Sequence, residues 1–295
     1  MPMASQTVLG IIGGSGIYDF IALSNKQWRQ VATPFGAASD ELLFGDLDGQ
    51  AVVFLPRHGR NHNLAPHEIN YRANIDALKR SGVTDLISLS AVGSFRETIS
   101  PGELVIVDQF VDRTYLRVGS FFGNGLVAHV SMAKPTCTRL GDVLQLAALN
   151  CSVPINRGGT YVVVEGPQFS TLAESNLYRL WGMSVIGMTN MPEAKLAREA
   201  EICYATVAMV TDYDCWHPDY GDVRVSEVLN ILSESASKVS KVVTEAAPIL
   251  NTRPDVCSYG CDRALDSALV TRIEAADSQT VADLDAVARR VLRQG

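Results

Sequence analysis

Apolar runs that stop abruptly at small or polar residues recur along this chain, and they constrain its fold more than any other feature. Val8-Leu9-Gly10-Ile11-Ile12 stops at Gly13-Gly14-Ser15-Gly16, and Ala51-Val52-Val53-Phe54-Leu55 at Pro56-Arg57-His58-Gly59. Leu86-Ile87-Ser88-Leu89-Ser90 stops at Ala91-Val92-Gly93-Ser94, Tyr161-Val162-Val163-Val164 at Glu165-Gly166-Pro167, and Val185-Ile186-Gly187-Met188 at Thr189-Asn190. Near-continuous runs of this kind mark strands covered on both faces. Helical patterns separate several of them. His67 to Arg80 carries Tyr71, Ile75 and Leu78 on one stripe, with Gly82 placed to end it. Met191 to Glu201 is rich in helix formers. Val225 to Leu250 repeats Val228, Leu229, Leu232, Ala236, Val239 and Val243. Thr280-Val281-Ala282-Asp283 resembles a capping box before a last helix ending near Leu292. Strands alternating with helices predict an α/β sheet with helices on both faces. With no repeat or flexible linker, residues 1–295 read as one domain; Arg253 to Cys261 is a loop, and a helical extension runs from about 251.

Composition narrows the function. Apolar content is 47%, charged content 19% and net charge −7. A nucleic-acid partner would need a clustered basic patch, so none is expected. The N-terminal residues lack a secretory pattern and no apolar run reaches membrane-spanning length, so a cytoplasmic protein with no membrane partner is expected. Six scattered cysteines fit reduced thiols. Cys257 and Cys261 are the only close pair, and two ligands alone cannot close a zinc site. His58, His62 and His67 lie among Gly59, Asn61, Asn63 and Pro66, an unsuitable setting for two ligands on one helix face, so no metal is expected.

Ligands of open α/β sheets bind outside the carboxyl ends of the strands. Gly13-Gly14-Ser15-Gly16 lets backbone N–H groups and a hydroxyl approach an anion, although a tight turn is the commoner use of such glycines. Arg57 offers a planar fork of donors to phosphate, with His58 beside it; a surface ion pair and a packed histidine are the plainer alternatives. Ser90 and Thr189 add hydroxyls at the same rim. The run Tyr204 to Val210 ends in Thr211-Asp212-Tyr213-Asp214-Cys215-Trp216. Two carboxylates close together at the end of a buried strand need partners or shifted pKa values. They suit acid chemistry or a donor-rich ligand, or else a helix cap and a solvated turn.

These segments resemble a known family. Gly10 to Gly16, Pro56-Arg57-His58-Gly59-Arg60, Asn70-Tyr71-Arg72-Ala73-Asn74, Asp108 to Thr114, Glu165-Gly166-Pro167-Gln168-Phe169-Ser170 and Thr211 to Trp216 are similar to the methylthioadenosine phosphorylases, in the trimeric branch of the purine nucleoside phosphorylases. The match runs from about Leu9 to about Leu250. The resemblance implies a mixed, partly barrel-like β-sheet surrounded by helices, assembled as a homotrimer. It also implies attack of inorganic phosphate on 5′-methylthioadenosine, releasing adenine and 5-methylthioribose 1-phosphate, with no metal or organic cofactor. Carried over, Ser15, Arg57, His58, Ser90, the Ala91 backbone and Thr189 hold phosphate. Phe169 packs on the purine and Met188 touches the ribose. Val225, Val228 and Leu229 wall the 5′ substituent, and His129 enters that pocket from a neighbouring subunit. Asp212 partners purine N7 and Asp214 helps hold the adenine amino group. Ser15 and Ser90 stand where many relatives have Thr, Val92 where some have Cys, and Gly187 where some have Asn. A phosphorylase for 6-oxopurine nucleosides and a non-catalytic nucleoside binder are the alternative readings.

Overall fold

In the computed structural model, residues 7–14, 22–221, 223–251 and 256–292 are described. Among them the chain alternates strands and helices, as the apolar runs predict. Strands β1 (Val8–Gly13), β2 (Ser24–Arg29), β3 (Leu42–Leu47) and β4 (Gln50–Pro56) come first. Helix α1 (Tyr71–Arg80) leads to β5 (Val83–Ser94), followed by β6 (Leu104–Val107) and β7 (Gln109–Arg113). Helix α2 (Thr138–Asn150), β8 (Ile155–Arg157), β9 (Thr160–Val164), α3 (Leu172–Leu180) and β10 (Val185–Gly187) follow. Helix α4 (Asn190–Glu199), β11 (Cys203–Asp212) and the long α5 (Val225–Leu250) complete the layers, and short helices α6 (Ser278–Asp283) and α7 (Arg289–Leu292) come last among the described residues.

The mixed sheet runs β2-β3-β4-β1-β5-β10-β9-β7, and β11 adds a branch by pairing with β5 and β6. Strand β5 is the hub. Its first half pairs in parallel with β1, its end pairs antiparallel with β10, and β11 lies parallel along most of its length. With three neighbours, β5 is the point at which the mixed sheet branches.

Alternating strand residues feed two large cores and a smaller third one around Phe95, Val162, Ile186 and Trp216. On one face Ile12, Val53, Leu55, Leu86 and Val210 pack with Ile75 and Leu78 of α1 and Ala194 and Ala197 of α4. On the other, Ile11, Phe54, Ile87, Leu89 and Val207 pack with Leu140 and Leu144 of α2 and Val239 and Val243 of α5. The first core extends to Leu265, Ala268, Leu284 and Val287 of the C-terminal segment. Helix α1 begins where Asn70 accepts from Ala73 N–H and ends before Gly82, whose φ of +85° is open to glycine without a Cβ penalty. The capping box expected at Thr280 does not form. Asp277 caps α6 by accepting from Thr280 N–H, and helix α6 stops at Asp283.

Candidate active site

The carboxyl ends of β4, β10 and β11 and the second half of β5 bring together expected residues distant in sequence. Arg57 follows β4 and is buried, but its fork points inward. Nε and Nη2 hold Glu193 of α4 at 2.8 and 3.1 Å, and Nη2 also donates to Ser88 Oγ at 2.7 Å and Ile12 O at 3.3 Å. Nη1 donates to Leu89 O at 2.9 Å. Most of the guanidinium therefore braces the end of β1 and the middle of β5 against α4, where the sequence reading gave the fork to an anion. Ser88 Oγ in turn reaches Glu193, and Tyr204 OH donates to the same carboxylate at 2.8 Å. This network is almost entirely dry, so each member depends on the others for its hydrogen bonds.

His58 is buried with Nδ1 2.9 Å from Leu64 O, and its ring stacks on His62. A carbonyl only accepts, so Nδ1 carries the hydrogen and Nε2 is the open nitrogen. Burial pushes His58 down to about 4. It is therefore neutral near pH 7. Ser90 Oγ lies 3.0 Å from Thr189 Oγ1 and 3.1 Å from Tyr161 OH, so two buried hydroxyls expected at an anion site do meet. Thr189 occupies the N-cap of α4 without using its side chain as a cap, which leaves the hydroxyl to this cluster. Gly187 makes room for it: a Cβ there would overlap the Tyr161 hydroxyl. Ala91 sits on the same strand, next to Ser90. Ser15 lies outside the described residues.

Asp212 closes β11. The pairing of β11 with β5 slips by one residue between Val210 and Asp212, setting Asp212 opposite Gly93. Such a bulge re-aims a side chain at a strand end. Gly93 leaves the space required, since a Cβ there would stand 2.7 Å from Asp212 Oδ1. Asp212 accepts from Thr211 Oγ1 at 2.7 Å and from the backbone N–H of Asp214 at 2.7 Å. Asp214 turns back with a φ of +52°, a conformation that Asp tolerates better than most residues. Burial raises Asp212 above its ordinary value, and burial with the neighbouring Asp212 charge pushes Asp214 up to about 6. The pair therefore holds a proton at a higher pH than ordinary carboxylates do. Cys215 Sγ donates to Ser170 O at 3.5 Å, which draws the Phe169 loop against the Asp214 loop. Trp216 Nε1 donates to Ser94 O at 2.7 Å and fastens that loop to the end of β5.

One rim thus holds a hydroxyl cluster and a proton-holding acid pair, and the sequence around it matches a known family over most of the chain. A model described as the phosphorylase superfamily matches residues 8–248. This chain belongs to the phosphorylase superfamily. It is 57% identical over 288 residues to the S-methyl-5′-thioadenosine phosphorylase of Cereibacter sphaeroides, covering 98% of this chain and 99% of the relative. With the protein of the same name from Bradyrhizobium diazoefficiens it is 58% identical over 289 residues, again 98% and 99% of the two. A methylthioadenosine phosphorylase from an antarctic soil metagenomic library shares the fold with a TM-score of 0.90 at 46% identity, over 96% of this chain and 99% of that one. The Schistosoma mansoni methylthioadenosine phosphorylase solved with adenine gives a TM-score of 0.80 at 38% identity, over 84% and 93%.

The remaining expected residues of this superfamily member fall into three groups. Phe169 is 46% exposed and Met188 is half-buried, both at the rim, where a flat ligand has access to them. Gly166, at a φ of +67°, has no side chain, and a Cβ there would overlap the Met188 sulfur. Val225 and Leu229 begin α5 and are 61% and 58% exposed, with Val228 half-buried between them. The core role that such a stripe usually has belongs here to the later part of α5, from Ala236 onward. His129 is exposed in a groove of about 430 Å³ shared with Phe122, Met132 and Lys195. Its backbone N–H bonds Ala268 O at 2.8 Å.

Sequence reasoning missed Arg117. Its buried guanidinium holds Glu165 at 2.7 Å and donates to Met188 O and Met191 O at 2.6 Å, locking the strand ends that carry Met188 and Thr189. Nothing in the stretch Tyr115-Leu116-Arg117-Val118 marks it out. Tyr161 and Glu193 were read as a strand apolar residue and a helix former.

Proposed function

We propose that this chain catalyses the phosphorolysis of 5′-methylthioadenosine to adenine and 5-methylthioribose 1-phosphate. The observation that carries the reading is the pairing of the buried Ser90–Thr189 hydroxyls with the raised Asp212–Asp214 pair along adjoining strand ends. Breaking the glycosidic bond puts positive charge on the ribose and negative charge on the purine. Phosphate faces the first and a proton at N7 neutralises the second, and both interactions strengthen in the transition state. Asp212 supplies that proton, and Asp214 holds the adenine amino group.

In this reading Ser15, Ser90, Thr189 and the Ala91 backbone bind phosphate. Arg57 contributes its charge and the second hydrogen of Nη1, while His58 accepts at Nε2 from a phosphate O–H. Phe169 stacks on adenine and Met188 lines the ribose. The exposed Val225 and Leu229, with Val228, cover the methylthio group. Inorganic phosphate is the co-substrate, and no metal or organic cofactor enters the reaction. We further infer a cytoplasmic homotrimer in which His129 of one subunit completes the pocket of the next. The exposed apolar residues Tyr115, Leu116 and Val118 suit such an interface, and the six unbridged cysteines suit a reducing compartment. No helix among the described residues is long and apolar enough to cross a membrane.

The test is adenine release from methylthioadenosine with and without phosphate, followed by kcat/KM for methylthioadenosine and methylthioinosine in the wild type and Asp212→Asn. Release should stop without phosphate. The wild type should favour the aminopurine, and the substitution should shift the ratio toward the 6-oxopurine while losing most activity. Equal turnover in phosphate-free buffer, or a wild-type preference for the inosine analogue, refutes the assignment.

A further inference from the structure

The Sγ atoms of Cys137, Cys203, Cys257 and Cys261 lie within 4.8 Å of one another, and all four residues are buried. They come from three parts of the chain. Cys137 is the N-cap of α2, Cys203 opens β11, and Cys257 and Cys261 flank a turn closed by Gly260 N–H on Cys257 O. Cys137 Sγ and Cys257 Sγ are 3.7 Å apart. Four sulfurs around zinc at about 2.3 Å form a tetrahedron with edges of about 3.8 Å. A disulfide requires about 2.05 Å, and none of the four is bridged. The spacing Cys257-x3-Cys261 falls within the range common for paired zinc ligands.

A second observation comes from Arg139. Its guanidinium lies beside the Cys203 sulfur, and its Nε is buried without a hydrogen-bond acceptor among the described residues. A thiol is a weak acceptor and a thiolate a strong one, so ionised sulfurs would supply what this donor lacks. Zinc with four thiolates keeps two negative charges. The Arg139 guanidinium beside Cys203 offsets part of that charge, and its ion pair with Asp85 fixes its position.

We propose that Cys137, Cys203, Cys257 and Cys261 form a tetrahedral four-thiolate zinc site that fastens the 257–261 turn to the foot of β11 and the start of α2. Zinc displaces four thiol protons on binding and nothing is oxidised or reduced. The role is structural, because Cys203 and Asp212 stand at opposite ends of the 10-residue β11, about 30 Å of strand apart.

The experiment is metal analysis of the wild-type protein purified under reducing agent without chelator, with cobalt substitution and a Cys257→Ser/Cys261→Ser variant beside it. About one zinc per chain is expected, together with the visible absorption of tetrahedral cobalt–thiolate. The variant should lose the metal and melt earlier. If the variant does not fold, the wild-type stoichiometry and the cobalt spectrum decide alone. Zinc at background after incubation with the metal, with all six thiols titratable and no cobalt–thiolate spectrum, overturns the proposal. So does a disulfide within the cluster.

Discussion

Replacing Gly93 by Ala perturbs Asp212, the proposed acid, without touching its chemistry. The added carbon would stand 2.7 Å from Asp212 Oδ1, 3.1 Å from Ile186 Cγ2 and 3.2 Å from Asp214 N. Carbon and oxygen pack without strain at about 3.5 Å, so the carboxylate has to retreat by roughly 0.8 Å. Asp212 Oδ1 is also the acceptor for Asp214 N–H at 2.7 Å, and the retreat drags or breaks that bond. A displacement near 1 Å of a catalytic group costs about a hundredfold in rate. Relief of the same overlap costs about 1–3 kcal/mol in stability, a modest part of what holds a domain of this size together. The expected result is a fall of about a hundredfold in kcat for methylthioadenosine with little change in KM for phosphate, since Ser90 and Thr189 are not displaced. Steady-state kinetics at saturating and limiting phosphate, with urea unfolding as the control, measure both. A folded Gly93→Ala protein with wild-type kcat would refute the placement of Asp212 as the acid.

Three further outcomes follow from the same geometry. Glu193→Gln leaves the buried Arg57 without its counter-charge and should cost about 3–5 kcal/mol in urea unfolding; a loss near the 1 kcal/mol of a surface ion pair would contradict the dry network. Gly187→Asn should push the Tyr161 hydroxyl off Ser90 and raise KM for phosphate severalfold, while adding Tyr161→Phe should recover part of the loss; a phosphate KM unmoved by the single change would refute the coupling. His58, held down to about 4 against an ordinary 6.5, stays neutral in the fold while the unfolded chain takes up a proton, so stability present above pH 6.5 is lost as pH falls toward 4, by on the order of 3 kcal/mol. Asp214, pushed up to about 6, slopes the other way, so the check is the difference between wild type and His58→Gln, and identical pH profiles would refute it.

The strand ends were legible because each is a change from apolar to small residues, and the rim assembled from them. Helix α5 was legible over its whole length, since its stripe is long and Arg224 precedes it in an extended conformation. Strand β5 was expected to stop near Ser90 and runs to Ser94. A polar residue reads as a strand end, but Ser88 and Ser90 stay inside by bonding Arg57, Glu193, Tyr161 and Thr189, partners distant in sequence. Helix α3 did carry a local signal, the box of Thr171 and Glu174, which the apolar pattern alone does not reveal. The orientation of the Arg57 fork had no such signal, because it is set by Glu193, 136 positions further on. The cysteine cluster was hidden for the same reason: only two of its members are neighbours in sequence.

The pairing of β5 with β11 also acts as a ruler for the reaction. Ser90 stands opposite Ala208 and Gly93 opposite Asp212, so one ladder of backbone hydrogen bonds carries the proposed phosphate end and the proposed acid end. The three residues from Ser90 to Gly93 span roughly 10 Å, the length of a nucleoside. A side-chain change at either end alters what is recognised and leaves this span intact. A one-residue insertion or deletion in either strand would move the acid by about 3.3 Å and turn it to the other face of the sheet. Lineages of this fold are therefore free to exchange bases and 5′ groups by substitution, whereas a change of length between these two strands would separate nucleophile from leaving group.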